Sequence, residues 1–223
     1  MSRTARHIVP GLCYHVLNRG NNRATVFHDP ADFEDFIALA RDAQDRQPLP
    51  ILAACLMPNH FHLVVRPGAG TDVSTWLHWL LTSHAFRRHR RHGSSGRVWT
   101  GRFKSFPIQD DRHLVTVLRY VERNALRAGL VPTAEEWRWG SLNWRERGRL
   151  PLVLAQPPSP LPSNWRDFVN EPQTPQEIAE IRRCVTRGVP FGEATWSRAT
   201  ARLLGIPDGS GRRGRPPRST VAA

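Results

Sequence analysis

The stretch Ile51–Pro67, ILAACLMPNHFHLVVRP, decides how this chain folds. It is an apolar run broken by Pro58-Asn59, which predicts two strands joined by a tight turn, the second over about His60–Arg66. In a strand, residues i and i+2 point to one face, so His60 and His62 project side by side. Two neutral imidazoles on one face can bind a divalent metal if at least one more protein ligand joins them. The same spacing also suits two histidines that pack on the sheet or face water.

Working outward, Leu12–Asn18 (LCYHVLN) reads as a first strand, followed by a Gly/Asn turn at Gly20–Asn22. Asp29 has the form of a helix N-cap with Pro30 at the first helical position. Phe33, Phe36, Ile37 and Ala40 then fall at helical spacing, a helix that Pro48 and Pro50 end. On the other side, the turn Pro67–Gly70 leads into a second helix from about Asp72 to His92, Trp-rich at first and then AFRRHRRH. Arg97–Gln109 (RVWTGRFKSFPIQ) reads as a strand. Asp110-Asp111 opens a third helix through about Ala128, with Gly129 just past its end. Strand, helix, strand, strand, helix, strand, helix is the order of an α+β sandwich, an antiparallel sheet with helices on one face.

After about Trp144 the composition shifts. Residues 150–165 are Pro-rich, a linker or wrapping arm. Thr174-Pro175-Gln176-Glu177 has the form of a capping box and starts a helix, and a shorter helix over about Glu193–Leu204 stops at Gly205. The expected division is a catalytic domain over 1–148, a linker with C-terminal helices over 149–207, and a basic tail over 208–223 that is disordered when free.

Of the 223 residues, 39% are hydrophobic, enough for a substantial core. Lys plus Arg number 32 against 19 acids, a surplus of +13 that calls for a polyanionic partner, nucleic acid before an anionic membrane. No apolar run approaches the ~18–20 residues of a spanning helix, and the opening MSRTARHIVPG lacks the apolar core of a signal peptide. Cys13, Cys55 and Cys184 are odd in number, far apart and without a CxxC, which argues against a disulfide framework or thiolate zinc site and fits a reducing cytoplasm.

The chain has two tyrosines, Tyr14 and Tyr120. On the third helix, Leu114, Val117, Leu118 and Val121 form the stripe that faces the sheet, at about 100° per residue. Tyr120 and Asn124 lie one turn apart at the edge of that stripe, so a phenol and a carboxamide project together, ringed by Arg119, Arg123 and Arg127. An interfacial tyrosine that merely wets its hydroxyl has the same pattern. Arg87, Arg88, Arg90 and Arg91 coat the end of the second helix, suited to phosphate contact or to a solvated helix terminus. Arg102 and Lys104, the chain's one lysine, add charge on the strand that follows. Trp99, Phe103 and Phe106 there suit core packing better than base stacking.

Taken together, these segments resemble the single-tyrosine HUH transposases, above all the REP-associated tyrosine transposases of bacteria. The matching blocks are Pro10–Phe27 (PGLCYHVLNRGNNRATVF), Cys55–Pro67 (CLMPNHFHLVVRP), Arg97–Ile108 (RVWTGRFKSFPI), Arg119–Val131 (RYVERNALRAGLV) and Trp137–Ser141 (WRWGS), in family order over about the first 145 residues. The resemblance implies a ferredoxin-like fold, Tyr120 as nucleophile, and His60, His62 and Asn124 as ligands of a divalent Mg²⁺ or Mn²⁺. It also implies single-stranded, hairpin-forming DNA as substrate, a 5′-phosphotyrosine intermediate, and a bacterial, nucleoid-associated setting in the cytoplasm. Whether the protein acts as monomer or homodimer is left open. One departure is Ala125, where the family usually has proline; alanine is the better helix former, so the helix is expected to run on more smoothly. In the tail, Arg213-Gly214-Arg215-Pro216 resembles an AT-hook core, whose arginines enter the minor groove. The reading from another class is a non-catalytic DNA-binding protein, a repressor or architectural factor.

Overall fold

The computed structural model describes residues 8–210; the tail arginines Arg213 and Arg215 lie outside them. Four strands form one antiparallel sheet: β1 (Cys13–Arg19), β2 (Ile51–Met57), β3 (His60–Val65) and β4 (Lys104–Ile108), in the order β2-β3-β1-β4. β2 and β3 meet in a tight turn at Pro58-Asn59, with Met57 opposite His60. With α1 (Pro30–Arg46) after β1 and α2 (Val73–His92) after β3, the arrangement is ferredoxin-like.

Local chemistry sets the ends of these helices. The Asp29 carboxylate accepts the Asp32 backbone N–H at the start of α1, and Asp72 does the same for Ser74 and Thr75 at the start of α2. α2 ends at Gly93, in the left-handed conformation that glycine adopts without cost. α1 buries Phe33, Phe36, Ile37, Leu39, Ala40 and Ala43 together with Tyr14, Val16, Leu56, Phe61 and Leu63 from one face of the sheet and Trp76, Leu77 and Leu80 from α2. Each large apolar side chain so buried contributes about 1.5–3 kcal/mol.

The other face is covered too. α3 (Arg112–Glu122), α4 (Asn124–Arg127), α6 (Trp165–Asn170) and α7 (Pro175–Arg187) pack on Cys13, Ala53, Cys55, Met57, Val64, Phe106 and Ile108. The expected covering of one face therefore holds for α1 and α2 only. β2 is buried at every residue, and a strand apolar on both sides needs a layer on both sides. α5 (Ser141–Glu146) and α6, which carry no clear periodicity, complete this layer, and α8 (Ala194–Leu204) follows α7. The Thr174–Glu177 capping box forms as expected, both reciprocal bonds present.

Two further expectations change. The strand expected over Arg97–Gln109 is regular only from Lys104, because Gly101 turns the chain with φ of 52° and its N–H bonds the Trp99 carbonyl. Trp99, Phe103 and Phe106 are all buried, as core packing requires. The third helix does not run smoothly to Ala128. It breaks at Arg123, whose N–H is shared between the Arg119 and Val121 carbonyls, a local tightening that separates α4 from α3.

Both edges of the sheet are closed. Leu56 N–H donates to the Trp139 carbonyl and the Trp137 indole N–H donates to the Leu56 carbonyl, covering β2. At β4, Phe191 N–H donates to the Pro107 carbonyl and Gln109 N–H returns a bond to Phe191. An unpaired strand edge invites pairing with another chain, and these segments remove that opening.

Candidate active site

On the α3 face, β3 alternates as the sequence requires: Phe61 and Leu63 enter the α1–α2 core, while His60 and His62 turn the other way. Their ring centroids lie 4.9 Å apart, nearly perpendicular. Tyr120, at the last turn of α3, sets its ring edge-on to His62 with centroids 6.0 Å apart. Its hydroxyl has no hydrogen-bond partner among the described residues. Asn124 follows on α4, buried, and its Oδ1 accepts a bond from Arg127 Nη2, while Nδ2 has no partner among the described residues. The Arg127 guanidinium sits over the Tyr120 ring, 4.1 Å from its centroid. The sequence-predicted quartet of His60, His62, Tyr120 and Asn124 thus lies in one connected cluster, with Arg127 bridging its helical half.

Hydrogen bonds orient both histidines. His60 Nδ1 lies 2.6 Å from Asn59 Oδ1, and since the Asn59 amide nitrogen donates to the Arg23 carbonyl, Oδ1 must accept and His60 Nδ1 must carry the proton. His62 Nδ1 lies 2.8 Å from Nε2 of His15, a β1 residue with no exposed surface. In both rings Nε2 is the nitrogen left over. Burial pushes His60 down to about 4 and His15 down to about 3, and it holds His62 well below the usual histidine range. All three imidazoles are therefore neutral near pH 7. Burial also lowers Arg127 from the usual guanidinium range, yet it stays a cation beside Tyr120.

The arginines divide sharply. Arg119 donates to the carbonyls of Glu171 and Pro172, and Arg123 to those of Val169 and Asn170, so both clamp the end of α6 onto α3. On α2, Arg87 pairs with Asp35, Arg91 with Asp29, and Arg88 reaches the Val26 carbonyl, all tying α2 to the segment of α1. His92 joins them through Asp32. Of the α2 arginines expected on DNA, Arg90 alone has no side-chain partner among the described residues, and Phe86, one turn before it, is 70% exposed. Arg102 and Lys104 are exposed.

Two site residues were not anticipated. His15 gives no local signal, since the β1–β3 register alone sets it beside His62. Arg19, at the exposed end of β1, is opposite His60, and its charge helps to depress both site histidines. It has no ion pair among the described residues.

Comparison with known proteins gives the family and the fold. A family model described as IS200-like transposase matches residues 8–124, just over half of the chain. Over 119 residues the chain is 23% identical to a protein named as a REP-associated tyrosine transposase of Haemophilus influenzae, an alignment spanning 49% of this chain and 68% of that protein. A solved structure described as a REP-associated tyrosine transposase bound to a REP hairpin shares the fold, with a TM-score of 0.56 at 18% identity over 78% of this chain and 99% of that one.

Proposed function

We propose that this chain, which belongs to the IS200-like transposases, is a metal-dependent endonuclease and strand transferase acting on single-stranded, hairpin-forming DNA through Tyr120. The observation that carries the reading is the unbonded Tyr120 hydroxyl on a ring held between His62 and the Arg127 guanidinium. A core tyrosine ordinarily gives its hydroxyl a partner; a nucleophile needs it free.

A divalent cation fits the residues present. His60 and His62 both have Nδ1 engaged, which leaves Nε2 of each, and the buried Asn124 carboxamide oxygen keeps a second lone pair beside the one that Arg127 occupies. Two imidazole nitrogens and a carboxamide oxygen make a mixed donor set that suits Mn²⁺ at least as well as Mg²⁺. Among the described residues no cluster of three or more His, Cys, Asp or Glu side chains offers a rival centre. When bound, the cation would polarise the scissile phosphate.

The chain's own groups supply the rest. Tyr120 Oη attacks phosphorus, forming the O–P bond as the P–O3′ bond breaks. The phenol proton leaves to solvent, and the departing 3′ oxygen takes one up. Arg127, over the Tyr120 ring, stabilises the negative charge that develops on the phenol oxygen. The 5′-phosphotyrosine link conserves the bond energy, so a second 3′ hydroxyl can reverse the step, rejoining DNA and freeing Tyr120. Arg19 is placed to hold the phosphate beside His60, and Arg90 with Phe86 offers a cation and a stacking face for the flanking strand. The protein of the solved neighbour binds a REP hairpin, which supports a hairpin as the substrate here.

The test is a denaturing gel of the protein incubated with Mn²⁺ or Mg²⁺ and hairpin DNA from beside its own gene, labelled on the 3′ side. A metal-dependent covalent adduct, lost in Tyr120→Phe and His60→Ala, is the expected result. Cleavage without adduct would make water the nucleophile, and tight binding without cleavage would leave a non-catalytic DNA-binding protein.

A further inference from the structure

We propose that His15 is a positioning residue that fixes His62 as its Nδ1–H tautomer, leaving Nε2 of His62 as the free lone pair. This deepens, and rests on, the reading of His62 as a ligand. The register pairs His15 with Val64 and Leu17 with His62, so His15 and His62 are diagonal neighbours on one face of the sheet. Their rings stack with centroids 5.0 Å apart and planes within 26°, and the Nε2–Nδ1 distance is 2.8 Å. Phe106 closes the other side of His15 at 4.9 Å, and the Tyr120 ring lies edge-on at 6.3 Å.

A purely structural role accounts poorly for this residue. His15 has no exposed surface, and its Nδ1 finds no partner among the described residues. Leaving one buried polar nitrogen unsatisfied costs about 1–3 kcal/mol, which a leucine in the same space would not incur. The imidazole makes one polar contact, and that contact is with a site histidine. The bond can run two ways. If His15 Nε2 donates, His62 carries its proton on Nε2 and has no lone pair to offer there. If His15 Nε2 accepts, His62 is Nδ1–H and Nε2 is free. The second state puts a proton on the orphaned His15 Nδ1, and in a ring packed between His62 and Phe106 an N–H is better tolerated than a lone pair, because aromatic faces are negative. It also matches His60, whose Nδ1 proton is fixed by Asn59 Oδ1.

The experiment reads the tautomer directly. Full-length protein labelled with ¹⁵N at histidine is examined metal-free near pH 7.5 by long-range ¹H–¹⁵N correlation, as the parent, His15→Gln and His15→Leu, with His62→Ala to assign the ring. Mn²⁺ affinity is measured on the same proteins by calorimetry. His62 should be Nδ1–H in the parent and should acquire Nε2–H character in His15→Leu, with Mn²⁺ binding weakened by roughly 10–100-fold. His15→Gln, whose carbonyl can accept the same bond, should restore both. Nε2–H at His62 in the parent, or an unchanged tautomer in a folded His15→Leu, overturns the proposal. Should His15→Leu fail to fold, the parent tautomer and His15→Gln decide. An Nδ1–H His62 that responds to His15 in a protein that binds no Mn²⁺ upholds the positioning role and removes the metal reading instead.

Discussion

The two faces of one four-stranded sheet have been put to different uses. Toward α1 and α2 the strands present Tyr14, Val16, Leu56, Phe61 and Leu63, a dry core in which even the buried His84 is wedged among Phe27, Phe36 and Trp99. Toward α3 and α4 the same strands present His15, His60 and His62 beside Tyr120, Asn124 and Arg127. Among the described residues, the first face leaves single ring nitrogens of Trp76, His84 and Trp99 unpartnered among apolar rings; the second gathers a phenol hydroxyl, an amide nitrogen and two Nε2 atoms without protein partners in one cluster. Both faces are packed, but an indole or imidazole nitrogen isolated among apolar rings is inert, whereas a phenol hydroxyl beside imidazole lone pairs can do chemistry.

The contrast can be broken at Tyr120. Tyr120→Phe should lower adduct formation by roughly 10⁴-fold or more, while the thermal unfolding curve barely moves, since no hydrogen bond is lost. A large drop in melting temperature would return Tyr120 to the structural side. Phe61→Ala is the mirror experiment. It should cost about 3–5 kcal/mol in chemical denaturation, yet protein that remains folded should still form the adduct. The α3 face also has a structural anchor: Glu122, wholly buried, accepts bonds from Ser141, Arg145 and the Trp165 indole. Glu122→Ala removes the acceptor shared by all three, leaving Arg145 only the Leu52 carbonyl, and should cost about 3 kcal/mol, measured by denaturant titration; a neutral result would mean that this anchor is dispensable to the fold.

A pH titration of stability separates the faces more finely. His15, His60 and His84 take up protons in the fold only near 3, 4 and 4, whereas an unfolded histidine does so near 6.5. Between pH 6.5 and 4 the unfolded chain therefore binds more protons, so stability must fall as pH falls through that window. His84→Leu should make the fall shallower without touching cleavage at pH 7.5. The smallest effect belongs to Arg19→Ala, expected to slow cleavage by about tenfold with unchanged melting; an unchanged rate would remove Arg19 from the phosphate.

How much of this the sequence disclosed follows from the range of each interaction. The period of two in HFH places His60 and His62 on one face, and the four-residue spacing places Asn124 one turn beyond Tyr120; both are local rules. The caps at Asp29 and Thr174 were legible for the same reason. His15 was not, because the strand register that brings it to His62 joins residues 47 apart. Nor was the fate of Arg119 and Arg123, whose partners arrive 46–53 residues later, on α6 and the turn after it. A run of arginines shows its charge but not which acids and carbonyls will claim it, so Arg87, Arg88 and Arg91 looked available when they bind α2 to α1 and the loop before it.

The closed edges of the sheet have a consequence for synthesis. β4 is complete once residue 108 leaves the ribosome, but the segment that covers its outer side arrives only with Phe191. For the time it takes to add those eighty-odd residues, the nascent chain carries an open strand with Phe106 and Ile108 at its margin. Expression temperature and chaperone supply should therefore govern the yield of this protein more than its final stability does.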